Sequence, residues 1–291
     1  MVQSNQIKNI LTVDVEEAFH RNDVVLSAKQ RFKLSGRVVE QTQRLISLLR
    51  AEQQGATFFV LGEVAARYPG LVHMLVKNKF ELALHGYGHR LVYEQKEHAF
   101  RREIIKAKAM LEEIGGKKVI GFRAPSWSIT AKSLWALPAL AEMGFKYDSS
   151  IFPARVNLGG MYYCNPLIHR RSEAEIIEIP PSIVNVWGIH LPFSGGLYLR
   201  LLPYDFIRSC IRKLNKKGMR AVVYLHPWEM DSNLPRLPIG FKGRFALYHN
   251  LDSVQRKVEQ LLKDFSFISI REVLSDMSSL FRTGVEPEWL L

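Results

Sequence analysis

The chain has 291 residues, of which 47% are hydrophobic and 23% charged, ordinary globular proportions with enough apolar matter for a sizeable core. Forty Lys plus Arg against 28 Asp plus Glu give a net charge of +12, which favours anionic partners such as nucleic acid, an acidic glycan or an anionic membrane surface. Cys164 and Cys210 alone cannot build a disulfide framework or a cysteine metal cluster. The polar start and the lack of a long uncharged run leave no signal peptide or membrane span to expect, so the cytoplasm is the expected compartment.

Taken in order, Asn9 to Val15 is an apolar, β-branched run that predicts a first strand. It ends in Asp14-Val15-Glu16-Glu17, and residues 14 and 16 of an extended chain point to the same side. Such a pair can serve a metal-dependent hydrolase as base and ligand, or it can be a solvated acidic turn. Helical spacing over Val38 to Leu49 and a buried strand over Ala56 to Leu61 follow, then a helix opened by Tyr68-Pro69. Phe80, Leu82 and Leu84 lead into Glu81-Leu82-Ala83-Leu84-His85-Gly86-Tyr87-Gly88-His89. His85 and His89 stand four apart, a spacing that can bring two imidazoles onto one cation if the segment curls, or can leave a pair of surface loop histidines.

Ala99 to Ile114 reads as an amphipathic helix stopped by Gly115-Gly116. Val119 to Phe122 is a short strand that delivers Arg123-Ala124-Pro125-Ser126-Trp127, and a helix over Ser133 to Glu142 leads to Phe145-Lys146-Tyr147-Asp148. The stretch 153–198 is less regular, with a strand at Ile176 to Ile179 and a turn at Gly195-Gly196. Tyr204 to Lys217 puts Phe206, Ile207, Cys210, Ile211 and Leu214 on one face and Arg208, Arg212, Lys213, Lys216 and Lys217 on the other. That is either a membrane-surface helix or the outer helix of a barrel. Ala221 to Leu225 is the last clear core strand and delivers His226-Pro227-Trp228-Glu229. A helix at Ser253 to Leu262, a strand at Phe267 to Ile270 and a short helix around Val273 to Leu280 close the chain. No shift in composition marks a linker, so a single domain, with its core about residues 7–275, is expected.

Strand–helix alternation implies parallel strands with helices outside, and in such barrels chemistry gathers at the C-terminal strand ends. Asp14, Glu16, His85, His89, Arg123 and Asp148 all fall at such ends. With these motifs in this order, the chain resembles the polysaccharide deacetylase family, metal-dependent carbohydrate esterases built on a distorted (β/α) barrel of about seven parallel strands. The likeness rests on Thr12-Val13-Asp14-Val15-Glu16, Thr57-Phe58-Phe59, His85-Gly86-Tyr87-Gly88-His89, Arg123-Ala124-Pro125 and Leu225-His226. The runs Tyr147-Asp148-Ser149-Ser150, Leu201-Leu202-Pro203-Tyr204 and His226-Pro227-Trp228-Glu229 are similar to a bacterial subgroup found with exopolysaccharide biosynthesis. Val15 departs from the family, which has a second aspartate there.

The resemblance implies removal of N-acetyl groups from an N-acetylhexosamine-containing glycan. It gives Asp14 the base role, His226 that of proton donor to the leaving amine, and Arg123 that of a partner orienting Asp14. Glu16, His85 and His89 would hold a divalent metal, with Glu17, which should face away, the poorer alternative to Glu16; zinc comes first, and Co, Ni, Fe or Mn also suit the ligand set. A backbone N–H near Tyr87 would help to hold the oxyanion. Tyr87, Pro125, Trp127 and Trp228 would contact the sugar, and Asp148 would either orient His226 or cap a helix. The implied partners are an N-acetylated glycan or a lipid-linked sugar, with an anionic membrane in peripheral contact; no recognition motif supports nucleic acid. The rival readings are hydrolysis of another amide, cyclic ones included, and a glycan-binding relative whose site has decayed at Val15.

Overall fold

The computed structural model describes residues 7–282. Its frame is a run of short parallel strands: β1 (Asn9–Val15), β2 (Thr57–Val60), β3 (Glu81–Leu84), β4 (Gly121–Phe122) and β5 (Tyr147–Asp148) lie side by side in chain order. An antiparallel pair, β6 (His169–Arg171) and β7 (Ile176–Glu178), follows, β7 parallel to β5; the two strands of a separate hairpin are β8 (Ile183–Val186) and β9 (Ile189–Pro192). β10 (Val222–Leu225) flanks β1 on its other side, and β11 (Phe267–Ile268) pairs with the start of β1. Seven parallel strands thus run from β10 through β1 to β7. The sheet curls, and the gap between its ends is bridged by single contacts: Ser182 N–H donates to Val222 O and Tyr224 N–H to Ser194 O. That makes the barrel distorted, as the family resemblance implies.

The strands carry two apolar faces because both sides are covered. On β1, Leu11, Val13 and Val15 belong to the outer layer with helix residues such as Leu45, Leu49 and Val64. Ile10 packs inward with Phe59, Tyr147, Val222 and Ile268. The period-two pleat therefore sends Thr12 and Asp14 into the barrel and Val15 out to the helices.

The outer helices mostly form where the spacing predicts them. α1 (Ala28–Leu34) was not expected; α2 (Arg37–Ala51) buries Val38, Leu45, Ile46 and Leu49 along one stripe. α3 (Gly62–Arg67) and α4 (Pro69–Lys77) cover β2 and β3, and α5 (Glu97–Gly115) ends at Gly116, whose φ of 59° makes it the left-handed cap. α6 (Ala136–Glu142) begins three residues later than the expected Ser133, whose hydroxyl instead accepts from Thr130 N–H.

Gly195-Gly196 is not a free turn but the entry to α7 (Gly196–Leu201). A Cβ on Gly195 would lie 2.1 Å from Tyr224 O, so the glycine permits close approach to β10. α8 (Tyr204–Lys216) buries Ile207, Cys210 and Ile211 against the barrel, so its apolar face is taken and it is an outer barrel helix. α9 (Phe241–Tyr248) was not expected; α10 (Val254–Asp264) and α11 (Ile270–Arg282) are the last described helices, and β11 is two residues shorter than predicted because α11 starts at Ile270.

Gly121 shows how tightly the barrel interior is filled. A Cβ there would meet the Tyr147 ring at 1.9 Å, and that ring is fixed by its hydroxyl donating to buried Glu81 at 3.0 Å. Gly121→Ala is therefore expected to lose about 1–3 kcal/mol of stability by overpacking. Gly70→Ala, in open space on α4, should be neutral or stabilise by up to about 1 kcal/mol. Urea unfolding of both variants checks the contrast.

Candidate active site

β1, β3, β4 and β10 end at the same mouth of the barrel, and each hands its next residues to the site. Glu16 follows β1, His85 follows β3, Arg123 follows β4 and His226 follows β10. Glu16, His85 and His89 bring one ligand atom each to within 4.8 Å of one another, all three buried. His89 reaches the cluster because the chain turns at Gly86 and His89 itself adopts a left-handed conformation, φ 59°.

His85 Nδ1 sits 2.9 Å from Arg123 O, so it carries the proton and donates there. That leaves Nε2 with its lone pair turned to Glu16, 3.9 Å from Oε2. A ring fixed this way through its far nitrogen is the usual arrangement of a metal-ligating histidine. Burial pushes the His85 imidazole down to about 4, which keeps it neutral and free to donate electrons. His89 Nε2 lies 2.8 Å from the same Oε2. Even so, Glu16 Oε2 and His89 Nδ1 are buried atoms without a well-aligned hydrogen bond. Two imidazoles and a carboxylate with such unmet bonding capacity suit a divalent cation.

Glu17, the other carboxylate considered for this position, faces outward. It accepts from Gly36 N–H at 2.6 Å, and burial pushes its carboxyl up to about 7. The pleat that continues from β1 accounts for the difference between the two glutamates.

Asp14 lies beside the cluster. Arg123 Nη1 donates to Asp14 Oδ1 at 2.8 Å and to Thr12 Oγ1, while Nε and Nη2 donate to Ser149 O and Oγ. From the opposite side, His226 Nε2 stands 3.8 Å from Asp14 Oδ2 and 3.9 Å from Glu16 Oε1. Its Nδ1 is 3.0 Å from Glu229 Oε2. Burial alone would disfavour the imidazolium, but Glu229, with help from Glu16 and Asp14, outweighs it and raises His226 to about 8. Glu229 is in turn held by Arg200, whose Nε donates to Oε1 at 3.0 Å. Trp228 lies against the His226 ring and its indole N–H points to Glu16 Oε1 at 3.5 Å.

These groups form the floor of a groove of about 1050 Å³, at the upper end of small-molecule sites. Trp127, Tyr198, Tyr224 and Phe241 give its walls aromatic surface. Ser126 and Trp127 are both left-handed, and Gly159 packs so closely on this turn that a Cβ would lie 2.2 Å from Trp127 O.

Three residues expected at the substrate lie elsewhere, and each has a physical reason. The Tyr87 ring covers Gly62, where an added Cβ would be 2.5 Å from it, so it packs on α3 and does not line the groove. Pro125 is buried against Gly86. Asp148 neither orients His226 nor caps a helix. It binds Ser150 through hydroxyl and N–H, and the Ser150 hydroxyl accepts from Ala124 N–H. Beside it in register is buried Glu178, and burial raises both carboxyls.

Sequence reasoning missed Glu229, Arg200 and the groove walls at 155–158, 196–198 and 240–243. Glu229 had a readable signal, since His226-x-x-Glu229 is a capping pattern. The others are brought in by the fold alone.

Residues 35–147 match the polysaccharide deacetylase family model, and residues 149–275 match a domain of unknown function, DUF3473. The segment 35–147 belongs to the polysaccharide deacetylase family. A peptidoglycan-N-acetylglucosamine deacetylase of Bacillus cereus is 29% identical over 99 residues, 34% of this chain and 36% of that protein. A peptidoglycan deacetylase-like protein, FGM2, of Gibberella zeae is 30% identical over 95 residues, 33% of this chain and 27% of that one. The chain thus spans about a third of the length of these curated relatives. Two solved structures share the fold. A polysaccharide-deacetylase-like protein of Mycobacterium smegmatis has a TM-score of 0.56 at 20% identity, covering 98% of this chain and 95% of its own. Puue allantoinase has a TM-score of 0.61 at 15% identity, covering 93% and 89%.

The ligand assignment makes a testable distinction. Purified Glu16→Gln and His89→Ala should each lose divalent-metal affinity by more than the roughly 10–100-fold that removal of an orienting partner costs. Glu17→Gln should keep wild-type affinity. Metal content after dialysis, followed by Zn²⁺ and Co²⁺ titration, reads the outcome.

Proposed function

We propose that this protein is a metal-dependent hydrolase that removes N-acetyl groups from an N-acetylhexosamine-containing glycan. The observation that carries the reading is the placement of a carboxylate, Asp14, and an imidazole, His226, on either side of the Glu16–His85–His89 cluster, on the floor of an aromatic-walled groove. The deacetylase names of the matched relatives support the same chemistry.

Glu16, His85 and His89 would hold the ion, zinc first and Co, Ni, Fe or Mn as other candidates. When bound there, such an ion polarises an amide carbonyl and lowers the pKa of water from 15.7 toward about 7. Asp14 is placed to take the proton of the attacking water, with Arg123 fixing which carboxylate oxygen remains available. His226 presents Nε2 to the same space and is kept protonated near neutral pH, so it can pass a proton to the departing sugar amine. Glu229 fixes the ring, because a proton donor helps only if its N–H points at the leaving atom. Trp127, Tyr198 and Phe241 offer faces on which pyranose rings can lie.

The likeness of the Tyr147-Asp148-Ser149-Ser150 and His226-Pro227-Trp228-Glu229 runs to an exopolysaccharide-associated subgroup supports a role in exopolysaccharide or other cell-surface glycan biosynthesis, acting on a polymer or a lipid-linked intermediate. A cytoplasmic site of action is part of the proposal. No described helix is long and apolar enough to cross a membrane. Residues 35–147 and 149–275 act as one catalytic unit in this reading, since His85 and His89 of the first and His226 of the second all approach Glu16.

The test is acetate release from N-acetylglucosamine oligomers and a lipid-linked N-acetylhexosamine, after chelation and after restoring Zn²⁺ or Co²⁺. Asp14→Asn and His226→Ala should each lower the rate by about 10²–10⁴-fold. Because Asp14 is also the counter-charge of a buried arginine, its variant is compared only after circular dichroism shows the fold intact. Metal bound through His85 but no acetate from any glycan would move the activity to other amides, cyclic ones included.

A further inference from the structure

The hairpin of β8 and β9 leaves the barrel wall and closes through Trp187 and Gly188, both with positive φ, 50° and 84°. That is the two-residue turn whose twist suits a hairpin, and its first position usually goes to Asn, Asp or Gly. Here it holds a tryptophan 98% exposed, flanked by Val186 at 38% and Ile189 at 63%. Tyr163, 91% exposed, joins the cluster through Tyr162, whose hydroxyl donates to Gly188 O and whose ring stacks on His190 at 4.7 Å. The tip is thus rigidly supported, yet nothing in the described fold covers it. Folding gains nothing from an indole placed there.

Cations flank the hairpin that carries this apolar tip. Ile183 and Asn185 of β8 share a depression of about 200 Å³ with Leu214, Lys217 and Arg220 at the end of α8. Lys217 continues a row of exposed cations along α8, Arg212, Lys213 and Lys216, and among the described residues no acidic side chain forms an ion pair with any of the four. On the other side, exposed Arg155 stacks over Tyr162 and also lines the groove.

We propose that the hairpin tip docks on an anionic membrane surface, with Trp187 and its aliphatic neighbours entering the headgroup layer and the α8 cations facing anionic lipid. An amphipathic ring beside a polybasic face is the combination that such interfaces retain. A glycan would be met by a flat ring among polar donors, whereas these flanks are Val186 and Ile189. A second copy of this +12 chain would bring like-charged collars together. Arg155 links the tip to the groove, so docking would set the groove beside the lipid, where a lipid-carried glycan would present its sugars. That last consequence rests on the deacetylase reading, while the docking itself does not.

Flotation of the whole chain with vesicles of phosphatidylcholine containing about 30% phosphatidylglycerol, and with pure phosphatidylcholine, tests this. The wild type should float with the anionic vesicles and far less with the neutral ones. Trp187→Asp combined with Ile189→Asp should weaken binding at least tenfold, and Lys213→Glu with Lys217→Glu should remove the preference for anionic lipid. Acetate release from a soluble oligosaccharide should be unchanged in both, which separates this proposal from the catalytic one. Failure of the wild type to float, or flotation untouched by the tip substitutions, overturns it. So does a tip variant that instead loses retention on a soluble glycan column, or whose sedimentation shifts from dimer to monomer, since either gives the hairpin a different occupant.

Discussion

A guanidinium with no access to water must find every partner within the protein, and Arg123 is such a group, fully buried in the barrel. It sits 4.2 Å over the Phe59 ring with Trp127 at 5.0 Å. Its hydrogen bonds reach across β3 and β2 to Thr12 and Asp14 of β1, and to Ser149 just past the adjacent β5. Stripping one partner from a buried ion pair typically costs about 3–5 kcal/mol, so β1, β4 and the end of β5 are locked in relative position. The backbone carbonyl of the same residue fixes the His85 tautomer. One buried cation therefore sets both the carboxylate proposed as base and one imidazole of the cluster.

A second chain of contacts, on the opposite wall, performs the parallel task for His226. Arg200 is buried and donates to Glu229, and its remaining N–H groups go to the carbonyls of Ala246, Leu247 and His249 at the end of α9. The carbonyl of Arg200 accepts in turn from Asn250 and Lys257. The helix that carries Phe241 into the groove is thus tied to the residue that orients the imidazole. Two buried arginines, on opposite sides of the mouth, hold the two candidate acid–base groups.

Much of this was legible in the sequence, for reasons that can be stated. Short, doubly buried parallel strands show as apolar runs, and the pleat alone puts Asp14 and Glu16 inward and Glu17 outward, so the choice between the two glutamates needed only the strand's phase. The hairpin was not legible, because its exposed Val186, Trp187 and Ile189 erase the alternation that marks a half-buried strand. α9 was missed because Gly240, Gly243 and exposed Phe241 give it no apolar stripe. The Tyr147-Asp148-Ser149-Ser150 run was read as reaching the site, but its aspartate serves the site at one remove, through Ser150 and the Ala124 backbone. Sequence order cannot show that, nor that Arg200 would meet a glutamate 29 positions away.

The two matched segments divide the groove unevenly. The stretch 35–147 contributes His85, His89 and Arg123, whereas His226, Glu229, Arg200 and most of the walls come from 149–275. Even the turn bearing Trp127 is seated on Gly159, across that boundary. Selection could therefore remodel what the groove accepts by drift in the second segment while leaving the ion-binding end untouched. Kinship traced through the first segment would then report the kind of bond broken far better than the molecule that carries it.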